Sequence, residues 1–125
     1  MVFQYPEAVG TGSGVPQLRV EVAGDGRTVT VWVRGEVDLA TADLLEAGIE
    51  FGLHTGSPSR LVVQLSQVTF FSAAGLRVLI GAHDEAAKRG VDLVLQGPSA
   101  CVWTVLDLSE TRDLFSTAPR AAAPE

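Results

Sequence analysis

The chain has 125 residues, enough for one domain, and its 46% hydrophobic content supports a buried core. The net charge of −6 argues against nucleic acid as a partner, because phosphates require a cationic face. No apolar run is long enough for a membrane span, and no basic, apolar leader indicates secretion. Cys101, the single cysteine, cannot form an internal disulfide, so we expect a reducing, cytoplasmic setting.

The chain begins with a segment that lacks a periodic pattern. Residues 1–16, with the glycine-rich stretch 10–14, predict a flexible leader. Alternating apolar residues over 18–22 and 29–33 then predict two half-buried strands. Asp25-Gly26 between them is a strong hairpin signal, so the domain should open with an antiparallel pair of strands.

Helices and strands alternate after this hairpin. The pattern predicts a helix at 41–53, a strand at 60–65, a polar turn at 66–67, a helix from Ser72 to Gly90, a strand at 92–96, and a helix with Ser99 as N-cap. The inner face of the second helix is predicted to carry Leu76, Leu79, Ile80, His83 and Ala87. The result is a single α/β domain at 17–117, with a mixed four- to five-stranded sheet, three to four helices and a disordered tail at 118–125.

Ser72 stands where an apolar strand segment gives way to the second predicted helix. We therefore interpret Ser72 first as the N-cap of that helix. A nucleophilic role would need a nearby base, yet His83 lies about 16 Å farther along the same helix. The glycines of a nucleophile elbow are also absent. A small serine hydrolase is thus the disfavoured alternative, and we expect no enzymatic activity, no cofactor and no metal site.

Two short motifs resemble a known family. Residues 68–76 read V-T-F-F-S-A-A-G-L, which resembles the V-T-F-[hydrophobic]-D-S-[SA]-G-L signature of STAS domains, the sulfate-transporter and anti-sigma-factor-antagonist family. Residues 35–41 resemble that family's G-x-L-D-x-x-T turn, with Asp38 at the aspartate position. Ser72 replaces the signature aspartate and Ala73 replaces its serine, which is often a phosphate acceptor. The resemblance covers roughly residues 17–115 and implies a STAS domain.

The resemblance implies an anti-sigma factor antagonist, which binds a kinase-type anti-sigma factor of histidine-kinase-like ATPase fold and so frees a sigma factor. The expected partner-binding residues are Asp38, Thr69, Ser72, Ala73, Ala74 and Gly75. Phosphorylation of the family serine adds negative charge to this surface and ends the complex. Ala73 has no hydroxyl, which leaves Ser72 as the candidate phosphoacceptor, rotated by about 100° around the helix. Asp38 is equally well interpreted as a cap of the first helix.

Alternatives remain for the partner and for one aromatic residue. The chain could instead be a STAS accessory subunit of a transport or stress-signalling complex, which would co-purify with a transporter ATPase. Trp103 falls on the polar side of the third predicted helix, where it is either a partner contact or an aromatic sheltered by Leu106. We expect neither nucleic acid nor membrane as a partner, and formation of a homodimer stays open.

Overall fold

The computed structural model describes residues 2–4 and 17–119. One sheet contains β1 (Val2–Gln4), β2 (Leu18–Asp25), β3 (Thr28–Val37), β4 (Arg60–Phe71), β5 (Asp92–Gln96) and β6 (Ser116–Ala118). The helices are α1 (Ala42–His54), α2 (Ala73–Arg89) and α3 (Ala100–Leu108), followed by a single 3-10 turn, Arg112–Leu114. The predictions for residues 5–16 and for 120–125 lie outside the described residues.

The strands lie in the sheet in chain order, from β1 to β6. The pairs β1–β2 and β2–β3 are antiparallel, whereas β3–β4, β4–β5 and β5–β6 are parallel. Asp25 pairs with Thr28 across the predicted hairpin, and Gly26 has the positive φ of 65° that such a turn requires. The predicted mixed sheet is confirmed, with two three-residue strands, β1 and β6, added at its edges.

The buried side chains of the strands and helices form one continuous core. The apolar residues Leu45, Ile49 and Leu53, which follow one another at helical spacing on α1, are buried in it. Together these contacts hold the helices against one face of the sheet. Among the described residues, no helix is both long and apolar enough to cross a membrane.

The inner face of α2 differs from the prediction. Its buried residues are Gly75, Leu79, Ala82 and Ala86, whereas the predicted His83 is half-buried and Ala87 is exposed. Small residues let the helix axis approach its neighbours closely, so α2 turns this narrow face inward. The longer apolar side chains Leu76 and Ile80 pack at the margin of the core.

Strand β4 is continuous through Ser66-Gln67, so the turn predicted there is wrong. The register against β3 shifts: Trp32 pairs with Gln64, but Arg34 pairs with Gln67. The strand therefore absorbs an extra residue as a β-bulge. The side-chain oxygen of Gln64 accepts a hydrogen bond from the Ser66 amide at 3.0 Å and stabilises this bulge. Because β4 continues beyond the bulge, its last residue, Phe71, lies beside Val37, the last residue of β3.

Candidate partner-binding site

The two predicted motif turns meet at the carboxyl ends of β3 and β4. Val37 pairs with Phe71, the last residue of β4. The amide of Ser72 donates to the carbonyl oxygen of Val37 at 3.0 Å. Because parallel strands end at the same edge of a sheet, the Asp38 turn and the first turn of α2 lie side by side.

The Asp38 turn is closed by its own side chains. Oδ1 of Asp38 accepts hydrogen bonds from the amides of Ala40 at 2.9 Å and Thr41 at 3.1 Å. The hydroxyl of Thr41 is buried; it donates to the carbonyl of Glu36 and accepts from the amide of Asp38. Asp38 therefore caps the turn that leads into α1, whereas the N-cap of the helix itself is Thr41, so the interpretation of Asp38 as the cap of α1 is wrong. Its carboxylate also fixes the shape of a turn at the protein surface.

Ser72 is the N-cap of α2, as predicted. Its backbone is extended, and its Oγ accepts a hydrogen bond from the amide of Ala74 at 3.2 Å. Ala73 follows as the first helical residue and is exposed, while Ser72 and Ala74 are half-buried. Helix α2 thus begins with small side chains and with the positive end of its dipole at the carboxyl end of β4. Ser72 stays the candidate phosphoacceptor only for the case in which this site is phosphorylated at all.

Gly75 and Thr69 occupy different positions relative to this surface. Gly75 is buried, and a Cβ on it would lie 2.6 Å from the ring of Phe71 and 2.7 Å from Val37. This glycine therefore allows α2 to start close against the strands, and it supports the surface from beneath without being part of it. Thr69 is exposed near the end of β4, and its role as a partner contact stays a prediction.

Two exposed apolar residues lie next to these turns in the chain, and sequence reasoning did not select them. Leu39, next to Asp38, is 82% exposed, and Phe70, next to Phe71, is 50% exposed. The signal for Phe70 was present in the sequence: neighbouring residues of a strand point to opposite faces, so Phe70 and Phe71 cannot both point into the core. Leu39 gave no such signal, since it lies in a turn.

Helix α3 begins at the same end of the sheet, but Ser99 does not cap it with its side chain. The Ser99 hydroxyl donates instead to the carbonyl of Val68 at 2.6 Å, so the predicted N-cap position is confirmed while the side chain bonds to β4. Val68 lies beside the second register shift of β4, where the ladder is irregular. The thiol of Cys101 lies 3.4 Å from the same carbonyl oxygen. Both side chains attach α3 to β4.

Trp103 is half-buried and packs against the core, which is closer to the sheltered ring than to the exposed partner contact of the two interpretations. The guanidinium of Arg112 lies 4.2 Å from the centre of its ring, the geometry of a cation–π contact. Arg112 also pairs with Asp107 at 3.2 Å. One ring face is therefore already occupied, and a role of Trp103 in partner binding stays a prediction.

Neither described histidine is hydrogen-bonded to Ser72. His54 contacts the carbonyl of Glu50 at 2.7 Å and Arg89 at 2.8 Å. His83 lies 3.3 Å from Asp84 and stacks edge-on against Phe115. Within the part of the chain that the structure describes, Ser72 thus has no imidazole base in contact, which weakens the hydrolase alternative.

Comparison with known proteins identifies the family. The sequence model of the STAS domain family matches residues 19–123 of this chain. An anti-sigma factor antagonist from Mycobacterium paratuberculosis is 27% identical, with a TM-score of 0.65 over 81% of this chain and 85% of that one. SpoIIAA in its unphosphorylated form is 20% identical, with a TM-score of 0.67 over 79% of this chain and 87% of that one. Phosphorylated SpoIIAA from Bacillus is 19% identical, with a TM-score of 0.62 over 79% of this chain and 90% of that one. The two SpoIIAA structures share the fold, and the family match spans most of the sequence: this protein belongs to the STAS domain family.

Proposed function

We propose that this protein is an anti-sigma factor antagonist, a binding protein without enzymatic activity. In this function it captures an anti-sigma factor and so releases a sigma factor. The observation that carries the proposal is the hydrogen bond from Ser72 to Val37, which joins both family turns into one edge of the molecule. The 27% identical protein from Mycobacterium paratuberculosis, described as an anti-sigma factor antagonist, supports it.

The chemistry of this edge suits a protein partner. Leu39 and Phe70 expose large apolar side chains, and such residues supply much of the binding energy when a partner buries them. Asp38 and Ser72 each hold the backbone of their own turn through a side-chain hydrogen bond. A surface that is already ordered loses little conformational entropy on binding.

Within this function, we propose that the partner is a kinase-type anti-sigma factor and that phosphorylation does not end the complex. Ala73 has no hydroxyl at the position of the family's acceptor serine. The hydroxyl of Ser72 is engaged as the N-cap of α2, one residue earlier. A phosphate would add nearly two negative charges at this edge. Without the family's acceptor serine, the antagonist should stay in its binding-competent form.

Binding to individual anti-sigma factors tests this function. Each kinase-type anti-sigma factor encoded in the host genome is purified, and its binding to the full chain is measured by biolayer interferometry. We expect one of them to bind, and to release its sigma factor when the chain is added. Binding by none of them, together with co-purification of a transporter ATPase, would contradict the proposal and favour an accessory subunit.

A further inference from the structure

Helices α1 and α2 are separated by an open groove that begins at the partner-binding edge. Two adjoining cavities, of about 130 and 200 Å³, share Glu46 and Val78 and together extend over about three helical turns. The apolar lining comes from both helices: Ala42, Ile49, Leu53, Ala74, Val78 and Ala82. Leu39 and Ala74 belong to the groove and also to the candidate partner-binding site, so the two surfaces are continuous.

Gly81 widens this groove at its centre. It is exposed in the middle of α2, and a Cβ on it would meet no atom within 4 Å. Glycine inside a helix reduces helix stability, because its backbone loses more conformational freedom on folding. Unlike Gly75, Gly81 is not required by the packing of the domain, and its position leaves space for a side chain of a partner.

The rim of the groove on α1 is acidic. Asp43, Glu46 and Glu50 follow one another at helical spacing along this rim, and each is exposed. Within the described residues, these carboxylates form no ion pair with a basic side chain. Like charges at this spacing destabilise a helix. A cationic partner would remove that repulsion.

The rim on α2 does not compensate for these charges. Arg77 lies at the end near Leu39, and Glu85 lies at the other end, where it pairs with Arg89 at 2.9 Å. The groove therefore combines an apolar floor with a net negative rim. Such a surface matches a helix that carries apolar residues along one face and basic residues beside them.

We infer that the α1–α2 groove binds a basic amphipathic helix of the partner protein. This inference rests on the proposed function in one respect only, which is that the partner protein is an anti-sigma factor. The basic charges of the partner helix complement the acidic rim on α1. Because the groove is continuous with the edge at Leu39, one partner can contact both surfaces. A second copy of this chain is a poor occupant, since α1 is acidic and the charged side chains of α2 are mixed in sign.

A synthetic peptide tests the groove directly. The probe is a fluorescein-labelled 14-residue helix with leucines along one face and lysines on both flanks; its control has glutamate in place of every lysine. Anisotropy with the full chain should show binding of the lysine peptide that weakens with salt, and binding of the glutamate peptide weaker by about tenfold or more. Amide shifts in NMR spectra should concentrate in α1 and α2.

Variants at Gly81 provide a matched pair. Gly81→Leu places a branched side chain in the groove and should weaken binding of the lysine peptide about tenfold, whereas Gly81→Ala should leave it unchanged. Both variants should fold, because the position is exposed and open, and thermal unfolding checks this. Replacing Asp43 with Asn and both Glu46 and Glu50 with Gln should remove most of the salt dependence.

Several results would overturn the inference: no binding of the lysine peptide, equal binding of the two peptides, equal affinities of the two Gly81 variants, or amide shifts centred on the sheet. A homodimer that Gly81→Leu dissociates would make a second copy the occupant and would also overturn it. Because the probe is a peptide, the result does not depend on an anti-sigma factor. Peptide binding in the groove without binding of any anti-sigma factor would contradict the proposed function alone.

Discussion

The amide of Ser72 donates to the carbonyl oxygen of Val37 at 3.0 Å, across the boundary between β4 and α2. This bond exists because β3 and β4 are parallel neighbours that end together, with Val37 beside Phe71. It fixes the N-terminus of α2 next to the turn that Asp38 closes. Both parts of the proposed binding edge are therefore held by backbone geometry, and their surface properties depend on a few exposed side chains.

We expect the wild-type protein not to gain phosphate from its cognate anti-sigma kinase. Ala73 has no hydroxyl, and Ser72 uses its own as the N-cap of α2. The protein is incubated with the kinase and ATP, and its intact mass is measured. A stoichiometric gain of one phosphate that maps to Ser72 or Thr69 would contradict the idea of a permanently active antagonist.

Asp38→Ala should lower the free energy of unfolding by about 1–2 kcal/mol, because the amides of Ala40 and Thr41 lose their acceptor. Asp38→Asn keeps a side-chain oxygen in the same place and should cost less. Urea denaturation of both variants measures the difference. Equal losses in the two variants would mean that the negative charge, and not the hydrogen bonds, stabilises the turn.

Gly75→Ala should destabilise the protein by about 1–3 kcal/mol through overpacking, since the new Cβ would collide with Phe71 and Val37. Gly81→Ala is the matched control on the same helix. It adds the same methyl group in open space and should stabilise the protein by up to about 1 kcal/mol. Thermal unfolding measures both changes, and similar effects of the two substitutions would contradict the packing role of Gly75.

The hydrophobic pattern was sufficient to predict most of the helices and strands, because alternation and helical spacing reflect the single buried face of each element. It failed at Ser66-Gln67, where two polar residues resemble a turn but lie in the bulged part of β4. The hydrogen bond from Ser66 to Gln64 depends on side-chain placement within that bulge, which a pattern of polarity does not describe.

Site residues were predictable only where a motif marked them. Asp38 and Ser72 follow recognisable turns, and the structure brings those turns together. The position of Ser99 as N-cap of α3 was predicted correctly, but the bond of its hydroxyl to the Val68 carbonyl was not, because Val68 is 31 residues away in the sequence. Leu39 was missed because its exposure follows from the three-dimensional arrangement of its turn, whereas the exposure of Phe70 could have been predicted from strand alternation beside Phe71.

Leu39→Ser combined with Phe70→Ser should weaken binding of the anti-sigma factor by about tenfold or more, because both apolar contacts would be lost. Leu108→Ser is the control. Leu108 is 81% exposed and ends α3, at the opposite end of the molecule from the helix N-termini. Calorimetric titration measures the affinities. An equal loss in the control, or unchanged affinity in a folded double variant, would exclude this edge as the binding surface.

The most direct test of the account restores the family pattern with Ser72→Asp and Ala73→Ser. Aspartate can still cap α2, and the new serine hydroxyl lies in the first turn, where free amides and the helix dipole stabilise a phosphate. The wild type and the variant are each mixed with the cognate anti-sigma kinase and ATP and then followed by gel filtration. The account predicts that the variant complex dissociates, with affinity reduced about five- to 150-fold, while the wild-type complex persists. Equal dissociation of both complexes in ATP would contradict it.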